Sequence, residues 1–266
     1  MDTCNIDRYA DYLAAGGRGE STVKLRRSHL VRAAREIGTL ESATTDKLIS
    51  YLSRPEWRPA TRRSYRASLR GFYRWATATG EIDADPADGL PTVIQPRALP
   101  RPADDAIIAA AIASAPPRVQ LMLELMAYAG LRRCEVARVH ARDVIVTDRA
   151  SALRVTGKGG HTRIVPIPGH LARRVAKLRT WAFPGNDHGH LSAAHVGKLV
   201  SRALPPGVTG HMLRHRYATE GYRRSRDIRA IQELLGHAKL DTTMVYTRVD
   251  VDQVTAAASS TWTLAS

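Results

Sequence analysis

The chain has 266 residues, 44% of them hydrophobic and 24% charged, a composition that suits a folded globular protein of one large or two modest domains. Its 40 basic residues against 25 acidic ones give a formal net charge of +15 and a pI near 10.5, so the expected partner is a polyanion. Two cysteines, Cys4 and Cys134, are too few for a disulfide framework or a cysteine zinc site, the longest apolar run (Leu121 to Gly130, broken by Glu124) is too short to span a bilayer, and the N-terminal MDTCNIDRYADY lacks the apolar core of a secretory signal.

Helical patterns come first. STVKLRRSHLVRAAREIG predicts a helix capped at Ser21 and closed at Gly38, with Val23, Leu30, Ala34 and Ile37 approximating its apolar face. TTDKLISYLS predicts a shorter helix. PATRRSYRASLRGFYRWATATG predicts a third, whose core stripe is Leu69, Phe72, Tyr73 and Ala76. Arg62, Arg66 and Arg70 are spaced four apart on this helix, Arg63 adjoins them, and no acidic residue falls between Glu56 and Glu81. Without a carboxylate at i+4 to neutralise it, that face is expected to contact phosphates.

Prolines 86, 91, 96, 100 and 102 interrupt helical periodicity. The expected organisation is therefore a helical domain over 1–85, a Pro-rich linker over 86–102 and a second domain over 103–266 that ends in a tail. The charge is uneven across this boundary: residues 1–96 carry a net +3 and residues 97–266 a net +12. In the second domain ADDAIIAAAIASA predicts a helix capped by Asp104 or Asp105, and another around Val119 to Tyr128 stops at Gly130. The β-branched runs Val144–Thr147, Leu153–Thr156 and Arg163–Ile167 predict a small antiparallel sheet with Lys158 in a Gly-rich turn. Beyond Pro168 the pattern reads helical to the end. The expected fold class is mainly α with a small antiparallel β-sheet.

Four short segments carry chemistry-bearing residues. YAGLRRCEVARV sets Arg132 just after a helix-ending glycine, GKGGHTR sets Lys158 on a hairpin tip, GHMLRHRYAT sets His211 and Arg214 three apart on one side of a helix, and LGHAKLDTTMVY holds His237 and Tyr246. Taken singly, each has a bland explanation: a surface arginine, a solubilising lysine, a helix-capping histidine, a half-buried tyrosine. Taken together and in this order, they resemble the tyrosine recombinase or phage integrase family, which includes the Xer-type recombinases. GLR at 130–132 is similar to the family's first arginine box, GKGG at 157–160 to its hairpin lysine, HMLRHRYAT to its H-x-L-R-H box, and LGHAKLDTTMVYTRV to its LGH…TT…Y-T box. The resemblance covers residues 98–250 well, whereas the first domain is similar to a core-site DNA-binding domain only in pattern.

The resemblance implies a helical core-binding domain followed by an α+β catalytic domain, and a site-specific recombinase that cleaves and rejoins DNA through a 3′-phosphotyrosine. Tyr246 is then the nucleophile. Arg132 and Arg214 are bidentate donors to the scissile phosphate, and His211 is the base that receives the tyrosine proton. Lys158 is the general acid at the 5′-oxygen, a task arginine performs poorly because it does not deprotonate. His237 donates a hydrogen bond to the phosphate, and Glu135, one turn beyond Arg132, orients the arginines or the histidines. His161 and His215 are expected to be structural. No metal, ATP or other cofactor is implied. The implied partners are double-stranded DNA with core-type sites, further copies of the chain in a homotetramer on synapsed DNA (a monomer or weak oligomer off DNA), and a directionality factor; no membrane partner is implied. The implied setting is the cytoplasm of a bacterial host, on DNA. With about 95 residues ahead of the catalytic domain there is no room for an arm-binding domain, so a short integrase of a phage or mobile element is expected, with a Xer-like chromosome or plasmid resolvase as the alternative. A type IB topoisomerase shares the residue set. A catalytically silent DNA-binding relative, or a basic nucleic-acid-binding protein without chemistry, is the reading from a different class.

Overall fold

The computed structural model describes residues 4–94, 102–147, 150–157 and 160–236. The chain divides into two compact units, residues 1–97 and 98–266.

The first unit is four helices: α1 (Cys4–Ala15), α2 (Glu20–Ile37), α3 (Thr45–Leu52) and α4 (Pro59–Ala78). α1 is absent from the periodicity reading. It contributes Ile6, Tyr9 and Ala10 to the core. α2 begins at Glu20 with Gly19 as its N-cap, not at Ser21. The Thr44 hydroxyl caps α3 by accepting the Lys47 N–H. The stripe expected on α4 is the buried one: Leu69, Phe72, Tyr73 and Ala76 are each at most 1% exposed. The Tyr73 hydroxyl donates to the Leu40 carbonyl at 2.8 Å, so even the polar end of that ring is satisfied in the core.

The arginines of α4 make contacts that their spacing alone does not reveal. Arg62 donates from Nε to the Leu52 carbonyl at 2.7 Å and from its terminal nitrogen to the Arg54 carbonyl at 2.8 Å. It thereby satisfies the Leu52 carbonyl, which the end of α3 leaves without an intrahelical partner, and adds a donor to the Arg54 carbonyl just beyond it. Arg66 donates to the Leu90 carbonyl at 2.7 Å, and burial together with the neighbouring Arg70 pushes its pKa down. Arg70 meets the exposed Asp88 at 3.4 Å. Backbone carbonyls, not i+4 carboxylates, thus accept from Arg62 and Arg66. Within the stretch expected as a linker, the first residues pack on the first unit. Ala87 and Leu90 are buried in the first unit's core, and the Thr45 hydroxyl donates to the Pro86 carbonyl at 2.9 Å.

The second unit is built on α6 (Pro117–Tyr128), which is buried on nearly all sides from Leu121 to Ala127. Around it lie α5 (Asp105–Ser114), α9 (Ala193–Ala203) and α10 (Gly210–Ser225). The Asp104 carboxylate caps α5 by accepting the Ala106 N–H at 2.8 Å. The short α7 (Arg133–Ala137) follows α6 and leads into β1 (Val144–Val146), β2 (Ser151–Thr156) and β3 (Thr162–Pro166), an antiparallel sheet in that order. Leu153, Val155 and Val165 form its buried face, and Arg154 and Ile164 lie on the other. Val155 pairs with Arg163, so strand alternation places Arg163 on the inward face. After α8 (Gly169–Ala176) a short strand, β4 (Pro184–Asp187), bridges to His190, which corrects the expectation of helix alone beyond Pro168. The unit's last described helix is α11 (Ile228–Leu235), closed by Gly236 in the left-handed conformation. Among the described residues no helix is long and apolar enough to cross a membrane.

Candidate active site

The site grows from the N-terminus of α7. Gly130 turns the chain out of α6 with φ +62°, and a Cβ there would come within 2.5 Å of the Tyr217 ring on α10. Only glycine meets both demands. Arg132 follows as the N-cap of α7, and Glu135 reaches back so that its Oε2 accepts the Arg132 backbone N–H at 2.8 Å. This is a helix-capping contact, yet the same carboxylate does much more.

Glu135 is 3% exposed. Its Oε1 accepts from the Arg132 side chain at 2.9 Å, and Arg163 approaches as a fork, one terminal nitrogen on each carboxylate oxygen, both at 2.9 Å. Arg214, 1% exposed, stands 3.6 Å from Oε2. Burial pushes the Glu135 carboxyl up. The Arg163 hydrogen bonds, the Arg132 N–H and the charges of Arg163 and Arg214 outweigh it and hold the carboxyl below its ordinary value. Glu135 is therefore ionised at the centre of three guanidiniums.

The same three arginines grip the end of α11. Arg163 Nε donates to the Leu234 carbonyl at 2.8 Å. The Leu235 carbonyl accepts from Arg214 at 2.6 Å and from Arg132 at 3.2 Å, and the Gly236 carbonyl accepts from Arg132 at 3.5 Å. Arg214 also donates to the Gly130 carbonyl. The final carbonyls of a helix have no intrahelical partners and carry the negative end of its dipole, so cations are their natural complement. The described chain stops one residue before His237. Lys158, His237 and Tyr246 lie outside the described residues.

Arg132, His211 and Arg214 line one cleft of about 670 Å³, together with Arg133 and Lys198. His211 is in the first turn of α10, exposed to the cleft. Burial by its surroundings, then Arg214 and Arg132, lower its pKa, so the imidazole is neutral at pH 7 and can accept a proton. His215 packs edge-to-face on it with centroids 4.3 Å apart, and burial, His211 and Arg214 push its pKa down to about 4. The cleft can bind an anion between guanidiniums and offers a neutral base beside it. Arg163 escaped the sequence reading. The available signal was strand alternation: with Val165 and Ile167 inward, Arg163 must also face inward.

The phage integrase family model matches residues 103–253. The tyrosine recombinase XerC of Chromobacterium violaceum is 33% identical over 92% of this chain and 90% of its own length, and that of Neisseria gonorrhoeae is 31% identical over 94% and 92%. In fold the chain is similar to a lambda integrase in a dimer bound to a COC′ core site (TM-score 0.73, 23% identity, 91% of this chain and 75% of that one). It is also similar to the XerH site-specific recombinase bound to a difH substrate (TM-score 0.68, 19% identity, 91% and 80%). The chain belongs to the phage integrase family and is a tyrosine-type site-specific DNA recombinase.

Proposed function

We propose that this chain cleaves and rejoins double-stranded DNA at core-type sites, with Tyr246 as nucleophile. The tyrosine oxygen forms a bond to phosphorus, and the bond from phosphorus to the 5′-oxygen breaks. The phenol proton passes to His211, and the leaving oxygen takes a proton from Lys158. A 5′-hydroxyl of the exchanged strand reverses these steps, so the bond energy kept in the 3′-phosphotyrosine suffices for rejoining. Arg132 and Arg214 neutralise the charge that accumulates on the non-bridging oxygens, where loss of one donor costs about 10²–10³ in rate. His237 adds a hydrogen bond to the same phosphate. The observation that carries the reading is the convergence of Arg132 and Arg214 on buried Glu135, beside a neutral His211 in a single cleft.

Recombination requires four strand exchanges, so four protomers act on paired sites, in the cytoplasm on DNA. The first unit contributes to binding the duplex through the arginine face of α4, Arg62, Arg63, Arg66 and Arg70, of which Arg70 is held only by the exposed Asp88. The finer role is resolution of a chromosome or plasmid in the manner of a Xer recombinase. The XerC relatives, similar over nearly their whole length, favour it over integration of a phage or mobile element, which remains the second reading and would add a directionality factor.

The test is trapping of a covalent adduct on a nicked suicide substrate that carries the core site. Wild-type chain should give the adduct, and Tyr246→Phe should bind the site and give none. An undiminished adduct from the Phe variant refutes the assignment. Recombinants from paired sites then separate a recombinase from a topoisomerase.

A further inference from the structure

We propose that Arg163 is a positioning residue of this active site, setting the guanidiniums of Arg132 and Arg214 through Glu135; the inference rests on the phosphate-binding reading of those two arginines. Arg163 lies on β3, on the strand that leads away from the Lys158 turn. Its side chain is 9% exposed and directs its donors to two other elements. Both terminal nitrogens bind Glu135 on α7 and Nε binds the Leu234 carbonyl at the end of α11. One planar group therefore ties the hairpin, the arginine-bearing turn and the helix that leads to His237.

Its surroundings are shaped to it. A Cβ at Gly236 would lie 3.0 Å from an Arg163 nitrogen and 3.2 Å from its Cδ, so a larger residue there would press on the guanidinium. At Gly157, the residue before Lys158, a Cβ would lie 3.7 Å from both the Arg163 nitrogen and the Glu135 carboxylate. Without Arg163 the Glu135 carboxylate keeps Arg132 and the more distant Arg214 but loses the fork that fixes its plane. The carboxylate can then turn, and both guanidiniums turn with it. Lysine cannot replace the arginine, because a single ammonium does not supply a planar fork and a third, rearward donor.

Two variants and two substrates test this. Arg163→Met and Arg163→Lys are compared with wild type for half-site binding, melting and single-turnover cleavage. The substrates are the ordinary phosphodiester and a scissile methylphosphonate, whose neutral linkage makes less use of paired guanidiniums. Both variants should bind the half-site normally. On the phosphodiester they should cleave roughly 10²-fold more slowly, as expected for displacement of catalytic groups. On the methylphosphonate the loss should shrink to about tenfold or less. Equal losses on the two substrates would overturn the proposal, because a purely structural role affects both alike. Wild-type cleavage by Arg163→Lys would overturn it as well. Tyr246→Phe is run on the same substrates. An adduct that survives that change refutes the nucleophile assignment, whereas the Arg163 proposal stands or falls on its own rate ratio.

Discussion

Glu135→Gln keeps the size of the side chain and removes its charge, which makes it the sharpest single probe of the arginine cluster. The carboxylate accepts from Arg132 twice and from Arg163 twice, and Arg214 stands 3.6 Å away. Glutamine offers one acceptor oxygen where there were two, and its amide nitrogen points a donor at a guanidinium. Arg163 and Arg214, 9% and 1% exposed at the side chain, would be left as buried charges without their counter-ion. Removing one partner of a buried ion pair costs about 3–5 kcal/mol. In a unit the size of residues 98–266, that lowers the melting temperature by roughly 6–20 °C, at about 2–4 °C per kcal/mol. Calorimetry or circular dichroism of the full chain measures it. The acid dependence gives a second reading. Because the folded carboxyl titrates below its ordinary value of 4.5, its contribution is complete above that value and disappears as the pH falls through the folded pKa. The gap between wild type and variant should be constant near neutral pH and close in acid. An unchanged melting temperature at neutral pH would refute the reasoning, as would a gap that widens in acid.

Burial, Arg214 and Arg132 lower the His211 pKa below 6.5, so the rate of adduct formation should rise through a midpoint below that value and stay flat at neutral pH. Arg132→Met should shift the midpoint upward, and a wild-type midpoint above 6.5 would count against His211 as the base. Gly130→Ala should destabilise the second unit by at least about 1–3 kcal/mol from the positive φ alone, with the Tyr217 contact adding to it; a melt that matches wild type would mean that ring and turn move aside freely. Arg62→Ala should cost about 2 kcal/mol of first-unit stability through its lost bonds to the Leu52 and Arg54 carbonyls. Arg70→Ala should leave stability nearly unchanged and reduce the salt slope of DNA binding by about one. The reverse pattern would exchange the roles given to these two arginines.

The elements with strong local signals were readable in the sequence. The start of α5 is read as Asp104 or Asp105, and the Asp104 carboxylate accepts a first-turn backbone N–H; Thr44, which no cap reading names, does the same for α3. The aromatic stripe of α4 and the three strands of the sheet follow from period and β-branching. α1 is absent from the sequence reading although Ile6, Tyr9, Ala10 and Leu13 stand at helical spacing, because that reading weighs its short N-terminal stretch only as a signal sequence. Tertiary contacts decided the remainder. β4 reads PGND, with no residue of strand propensity, and exists through its bridges to His190. On α4, spacing correctly put Arg62, Arg66 and Arg70 on one face, but only the fold shows carbonyls waiting there. Arg163 was obscured for a related reason: alternation with Val165 and Ile167 sets it on the apolar face, where an arginine reads as an exception until the fold brings the Glu135 carboxylate to it.

The cluster around Glu135 sets three permanent positive charges against one negative charge, a surplus of two, with Arg163 and Arg214 buried and Arg132 open to the cleft. The carbonyls at the end of α11 answer part of that surplus with the negative pole of a helix. A phosphodiester, with its single negative charge, would reduce that surplus further on binding. By mass action, whatever binds the folded unit this way also stabilises it, so the enzyme should be most resistant to unfolding when it is on its substrate.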